Sequence, residues 1–209
     1  MAGYLPPFLA RLARPFTQST RLSIASDSTA SHAPGAIPEG AQRCTIAAGC
    51  FWGTEHLYRR HFAGKGLLDA KVGYIGGTLD DPSYRAVCSG TSGHAEAAQI
   101  IFDPTQVSYR QLIEFFYKFH DPTTLNRQGP DAGPQYRSAI YYHDADQEKI
   151  AREVTQQANE QWWRGGVVTE IAPAGKWYTA EEYHQLYLDR NPSGYECPSH
   201  FLRPFPPLH

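Results

Sequence analysis

The stretch Arg43-Cys44-Thr45-Ile46-Ala47-Ala48-Gly49-Cys50-Phe51-Trp52-Gly53 joins a strand to a helix. Arg43 to Ala48 reads as a short strand, and Trp52 to Phe62 as a helix that stops at Gly64. Cys50 therefore falls at a strand-to-helix junction, where unpaired backbone N–H groups and the positive end of a helix dipole favour a thiolate. Gly49 and Gly53 remove side chains on both sides of it, so another molecule's backbone could approach closely. Phe51 and Trp52 supply an apolar wall beside the sulfur. The bland alternative is a buried structural cysteine, since free Cys is among the most buried residue types. The flanking glycines and tandem aromatics favour a working thiol instead.

Outward from that junction, strand and helix signals alternate. Leu67 to Tyr74 is a strand closed by Gly76-Gly77, and Ala95 to Phe102 is another, ended by Asp103-Pro104. Ser108 with Gln111 spells a capping box for a helix to about Phe119, with Leu112, Phe115, Phe116 and Phe119 on its buried side. Arg137 to His143 is a further strand; Asp144 and Gln147 cap a helix to about Trp163, and Val167 to Ile171 is strand-like. Thr179 and Glu182 then predict a last capped helix that ends before Pro192. Mixed strands with interspersed helices predict a two-layer α+β domain over residues 40–209.

Composition narrows the function. The 209 residues carry a formal charge of −2, which gives no electrostatic case for nucleic acid or an anionic membrane surface. No apolar run approaches the roughly 18 residues of a membrane span. The four cysteines, Cys44, Cys50, Cys88 and Cys197, form no CxxC pair, which argues against a zinc site or a thioredoxin-type motif. They are too scattered for a disulfide scaffold, and a reducing compartment with one or two working thiols fits better. Residues 1 to about 39 differ from the rest: Arg11, Arg14 and Arg21 occur among many Ser and Thr, and the first acidic residue is Asp27. That is the composition of a mitochondrial transit peptide, followed by a disordered linker from Ser26 to Gly40. An unstructured extension with no address is an equal alternative, so the expected location is the cytoplasm, the mitochondrion or both.

Three further segments carry polar groups in unusual company. Gly93-His94-Ala95-Glu96-Ala97-Ala98 puts Glu96 at the start of an apolar strand, where a carboxyl is pushed towards its protonated form. Tyr84 lies in Pro82-Ser83-Tyr84-Arg85-Ala86-Val87-Cys88-Ser89-Gly90. Gln128-Gly129-Pro130-Asp131-Ala132-Gly133-Pro134-Gln135-Tyr136-Arg137-Ser138 is a loop punctuated by Gly and Pro that enters a strand. With Gly49-Cys50-Phe51-Trp52-Gly53, Gly76-Gly77 and His120-Asp121-Pro122, in this order and spacing, the chain resembles the type A peptide methionine sulfoxide reductases from about residue 43 to 200.

The resemblance implies a two-layer α/β sandwich with a mixed central sheet of ferredoxin-like type and flanking helices. It also implies an enzyme that binds no cofactor or metal and reduces the S epimer of methionine sulfoxide, and a monomer is expected. Cys50 would attack the sulfoxide sulfur, Glu96 would protonate the departing oxygen, and Tyr84 and Tyr136 would hold that oxygen. Asp131 would order the site, while Phe51 and Trp52 would enclose the methyl group. The sulfenic acid left on Cys50 condenses with a second thiol. Cys44, six residues away, is ~20 Å distant if that stretch is extended, far beyond the ~4.4–6.8 Å Cα separation of a disulfide. Cys197, in a breaker-rich segment able to swing over the site, resembles the family's recycling cysteine, with thioredoxin (or dithiothreitol in vitro) as the reductant. A Cys-His hydrolase built on Cys50 with His56, His94 or His184, and a non-catalytic redox sensor, are the rival functions.

Overall fold

In the computed structural model, which describes residues 37–209, strand β1 (Gln42–Ala48) leads through Gly49 into helix α1 (Phe51–Phe62). Then follow β2 (Leu67–Ile75), the short helix α2 (Tyr84–Cys88), β3 (Ala95–Phe102) and α3 (Tyr109–Phe119). A hairpin of β4 (Arg127–Gln128) and β5 (Asp131–Ala132) and a 3-10 turn at Pro134–Tyr136 precede β6 (Ser138–Tyr142) and α4 (Ala145–Gln161). The chain continues through β7 (Glu170–Pro173), β8 (Tyr178–Thr179), a 3-10 turn at Glu182–His184 and α5 (Tyr187–Arg190). The extension expected over residues 1–39 lies outside the described residues up to position 36.

The main sheet runs β7-β6-β1-β3-β2-β8. Only the β6–β7 edge is parallel; the other pairs are antiparallel. The inner four strands, with α1 between β1 and β2 and α3 between β3 and β6, form the ferredoxin-like βαββαβ arrangement. The fold class expected from the sequence is the one observed.

Side chains alternate across each strand, and the two faces are filled differently. Cys44, Ile46 and Ala48 of β1 and Ala98, Ile100 and Phe102 of β3 face the helices, packing on Tyr58, Leu112, Phe116, Phe119 and Val154. The opposite face carries small residues, Ala47, Ala95, Ala97 and Ala139, covered by the segment around Trp177. Cys44 is thus a core residue, remote in role from any redox step. The capping box of α3 is present: the Gln111 N–H donates to Ser108 Oγ, and Gln111 Oε1 accepts from the Ser108 N–H at 2.9 Å. Its loss would cost about 1 kcal/mol.

The period of two also decides where Glu96 goes. It shares the helix-facing row with Ala98, Ile100 and Phe102, at the end of the row nearest the start of α1. Its cross-strand neighbour is Tyr74 of β2.

Two expected elements differ. The strand drawn at Val167 to Ile171 lies instead at Glu170–Pro173, because Val167 N–H is held by Asn159 Oδ1 and Val168 N–H by the Pro122 carbonyl. The helix expected after Thr179 and Glu182 forms only in its last turn, as α5 (Tyr187–Arg190). Thr179 belongs to β8, and the chain makes a single 3-10 turn before Leu186 takes a left-handed conformation at φ +54°. Tertiary bonds override the capping pattern: Gln185 bonds both the N–H and the carbonyl of Val72, and Leu186 N–H donates to Glu55 Oε2 at 2.8 Å.

Candidate active site

Cys50 is the residue immediately before α1, 6% exposed, with non-helical backbone angles (φ −54°, ψ 122°) and no capping bond from its side chain. The turn that presents it is made by Gly49 at φ +90°, where a Cβ would lie 2.5 Å from that of Gln128. A Cβ on Gly53 would overlap the buried His200 ring, whose Nε2–H donates to the Ala48 carbonyl at 2.6 Å. The two glycines therefore admit Gln128 and His200 of the same chain, correcting the expectation that they admit a partner's backbone.

Glu96, 1% exposed, accepts the Phe51 N–H on Oε2 at 3.2 Å. Burial raises its pKa to about 8, against the opposing effect of that N–H. At neutral pH burial therefore keeps the carboxyl mainly in its protonated form. Burial likewise pushes the Cys50 thiol well above the usual cysteine range, and the charge of Glu96 adds to it; the Trp52 N–H opposes. This corrects the thiolate expected at rest. The half-charge at a helix start is worth less than the removal of the thiol from water.

Tyr84, first residue of α2, and Tyr136, last of the 3-10 turn before β6, are half-buried. Burial holds both hydroxyls protonated, and both feel the fields of Glu96 and Cys88. They are donors beside the acid. Asp131, in the hairpin strand β5, accepts the Tyr195 hydroxyl on Oδ1 at 2.8 Å and keeps Oδ2 buried with no partner. The Gly- and Pro-punctuated loop thus contains an ordered hairpin, fastened where the Gln128 amide bonds both the N–H and the carbonyl of Asp121.

Cys197 is 1% exposed, its thiol directed at the Gln128 carbonyl at 3.5 Å. Burial raises its pKa to about 11, with the Ser199 N–H opposing. Its field and that of Asp131 both act on Cys50. The tail is already seated at the site instead of swinging over it. Cys50, Cys88 and Cys197 are all free thiols.

Phe51 is buried against Tyr74, with ring centres 5.9 Å apart. Trp52 is half-buried, stacked on Tyr187 at 3.7 Å, and its indole N–H donates to His184 Nδ1 at 3.0 Å. The histidines of the rival hydrolase are otherwise engaged. His56 pairs with Asp189; His94 accepts the Gly77 N–H and donates to the Leu79 carbonyl; His184 serves Trp52. Among the described residues no group of three His, Cys, Asp or Glu side chains is placed to hold a metal ion. Sequence reading missed the supporting roles of Gln128, Glu181, Tyr187, Tyr195 and His200. Gln128, Tyr195 and His200 fall in breaker-rich stretches, and Glu181 and Tyr187 fall where a regular helix was expected.

A buried thiol, a protonated carboxyl and two phenolic donors on this scaffold define a thiol-dependent reductase. A family model described as peptide methionine sulfoxide reductase matches residues 42–203. The chain belongs to that family. It is 51% identical over 164 residues to the probable peptide methionine sulfoxide reductase of Schizosaccharomyces pombe, covering 78% of this chain and 96% of that one. The structure of Mxr1 from Saccharomyces cerevisiae in reduced form superposes with a TM-score of 0.76 at 43% identity, covering 80% of this chain and 94% of that chain. Mxr1 in complex with Trx2 gives a TM-score of 0.55 at 29% identity, covering 80% and 93%.

Proposed function

We propose that the chain reduces methionine-S-sulfoxide in peptides to methionine through a sulfenic acid on Cys50 and a Cys50–Cys197 disulfide, which thioredoxin reduces. The observation that carries this is the protonated Glu96 carboxyl, bonded to the residue next to Cys50. An acid whose pKa lies near the working pH is suited to proton transfer.

Tyr84 and Tyr136 donate to the sulfoxide oxygen, and Glu96 delivers its proton there. The sulfoxide sulfur becomes electron-poor and draws the Cys50 sulfur, whose own proton passes to the Glu96 carboxylate. In net terms thiol plus sulfoxide become sulfenic acid plus thioether: the substrate sulfur gains two electrons and Cys50 loses two. Cys197 then attacks Cys50, water leaves, and an S–S bond forms. A dithiol returns both cysteines to thiols by exchange. The complex of Mxr1 with Trx2 supports thioredoxin in that role. The need for reduced thiols supports the cytoplasm or mitochondrion as the location.

The sulfur is a stereocentre, and the site fixes two of its three substituents: Tyr84, Tyr136 and Glu96 the oxygen, Phe51 and Trp52 the methyl. The R epimer would set its methyl against buried polar groups, leaving each unpaired at about 1–3 kcal/mol. The test is thioredoxin-coupled turnover on separated epimers. Near-exclusive use of the S form is expected, and comparable rates on both would refute the pocket.

A further inference from the structure

The segment from Tyr178 to Arg190 takes no part in that chemistry, yet it grips both sides of the pocket. Glu181 accepts the Tyr84 backbone N–H on Oε1 at 2.9 Å and the Tyr74 hydroxyl on Oε2 at 2.7 Å. Three residues later His184 accepts the Trp52 indole N–H, with its ring centre 5.1 Å from Phe51 and 4.4 Å from Tyr84. The segment is itself pinned to the sheet, by Ala180 N–H to the Val72 carbonyl at 3.0 Å and by the Gln185 amide.

We infer that Glu181 and His184 are positioning residues that set substrate specificity, Glu181 by fixing Tyr84 on the oxygen side and His184 by fixing Trp52 on the methyl side. This assignment rests on the roles proposed above for Cys50, Glu96, Tyr84 and Trp52. Discrimination at a stereocentre needs the oxygen and methyl subsites held at a fixed separation, and this one segment holds both. Two features point to positioning beyond packing. The Glu181 carboxylate accepts from two donors on different elements, which an apolar residue of the same shape could not do. His184, accepting on Nδ1, carries its proton on Nε2, and that buried N–H has no partner. An unpaired buried donor costs stability, so a phenylalanine would pack there at lower cost if packing were the only need.

The two variants separate by kinetics. Glu181→Gln places an NH2 group against one of its donors, and His184→Phe keeps a ring while leaving the Trp52 indole N–H unpaired. Single-turnover reduction is measured on dimethyl sulfoxide, which offers only an oxygen and methyl groups, and on separated N-acetylmethionine sulfoxide epimers. His184→Phe should raise the half-saturating concentration about tenfold, the effect of one hydrogen bond, with the saturating rate within about threefold, and should shift the Trp52 indole N–H resonance. Glu181→Gln should lower the saturating rate about tenfold with half-saturation nearly unchanged. The assignment is overturned if both variants move both parameters together in proportion to lost melting temperature, or if neither moves. Turnover by Cys50→Ser would instead overturn the site itself.

Discussion

The backbone N–H of Phe51 donates to Glu96 Oε2, so the first residue of α1 holds the carboxyl at the start of β3. The bond couples the Cys50 turn to the Glu96 carboxyl: a shift of Cys50 also moves the neighbouring N–H that orients Glu96.

Glu96→Gln keeps this bond's acceptor and removes the transferable proton. The chemical step should fall about 10²–10⁴-fold, the range for a general acid, with binding much less affected. In the wild type Glu96 must be protonated, so the single-turnover rate should fall as pH rises through about 8. That limb should vanish in the variant. A near wild-type rate at neutral pH would make Glu96 only a structural residue.

Glu96 also has a stability signature of definite sign. Its pKa is near 4.5 when unfolded and about 8 when folded. The folded state therefore binds the extra proton, and stability is lost as pH rises from 4.5 to 8. Glu96→Gln lacks this titration. Its stability relative to the wild type should improve between pH 5 and pH 7.5 on the order of 2–3 kcal/mol. Urea unfolding at the two pH values measures it, and a gap that does not change with pH would contradict the buried, protonated carboxyl.

Cys50→Ser should abolish reduction, because a hydroxyl is far less nucleophilic than a thiolate. Cys197→Ser should release about one methionine per enzyme and then stall as a sulfenic acid when thioredoxin is the only reductant. Mass spectrometry of the stalled protein identifies the oxidised cysteine. Full steady-state activity would show that another thiol resolves.

Gly53→Ala tests the packing beneath the nucleophile. Because the added methyl meets the His200 ring and not solvent, stability should drop by about 1–3 kcal/mol, the usual cost of overpacking, although Ala is the better helix former. Thermal unfolding reads this directly, and a stabilised variant would place His200 elsewhere.

What was legible in the sequence followed from periodicity and local chemistry. The apolar run at Ala95–Phe102, the capping box at Ser108 and the strand-to-helix junction at Cys50 are local, so they survive in the fold. What depends on distant partners was not legible. The segment after Thr179 carries a sound capping pattern, but Val72 and Glu55 claim its backbone and Gln185. The protonation of Cys50 turned on burial contributed by many elements at once. The two glycines read as room for a close approach, but the groups that approach, Gln128 and His200, belong to this chain and lie far along it.

The tail beyond Cys197 bears on competition for the oxidised enzyme. Phe205 stacks flat on Trp162 with ring centres 5.0 Å apart, the Trp162 indole N–H donates to the Pro206 carbonyl, and Gln161 bonds His209. With residues 205–209 moored there and Tyr195 tied to Asp131, Cys197 is held within a short loop whose thiol field reaches Cys50. Its effective concentration at the sulfenic acid is then that of an intramolecular partner, in the millimolar range or above for a short tether. On the proposed mechanism, small thiols in solution must compete with that value for the oxidised Cys50.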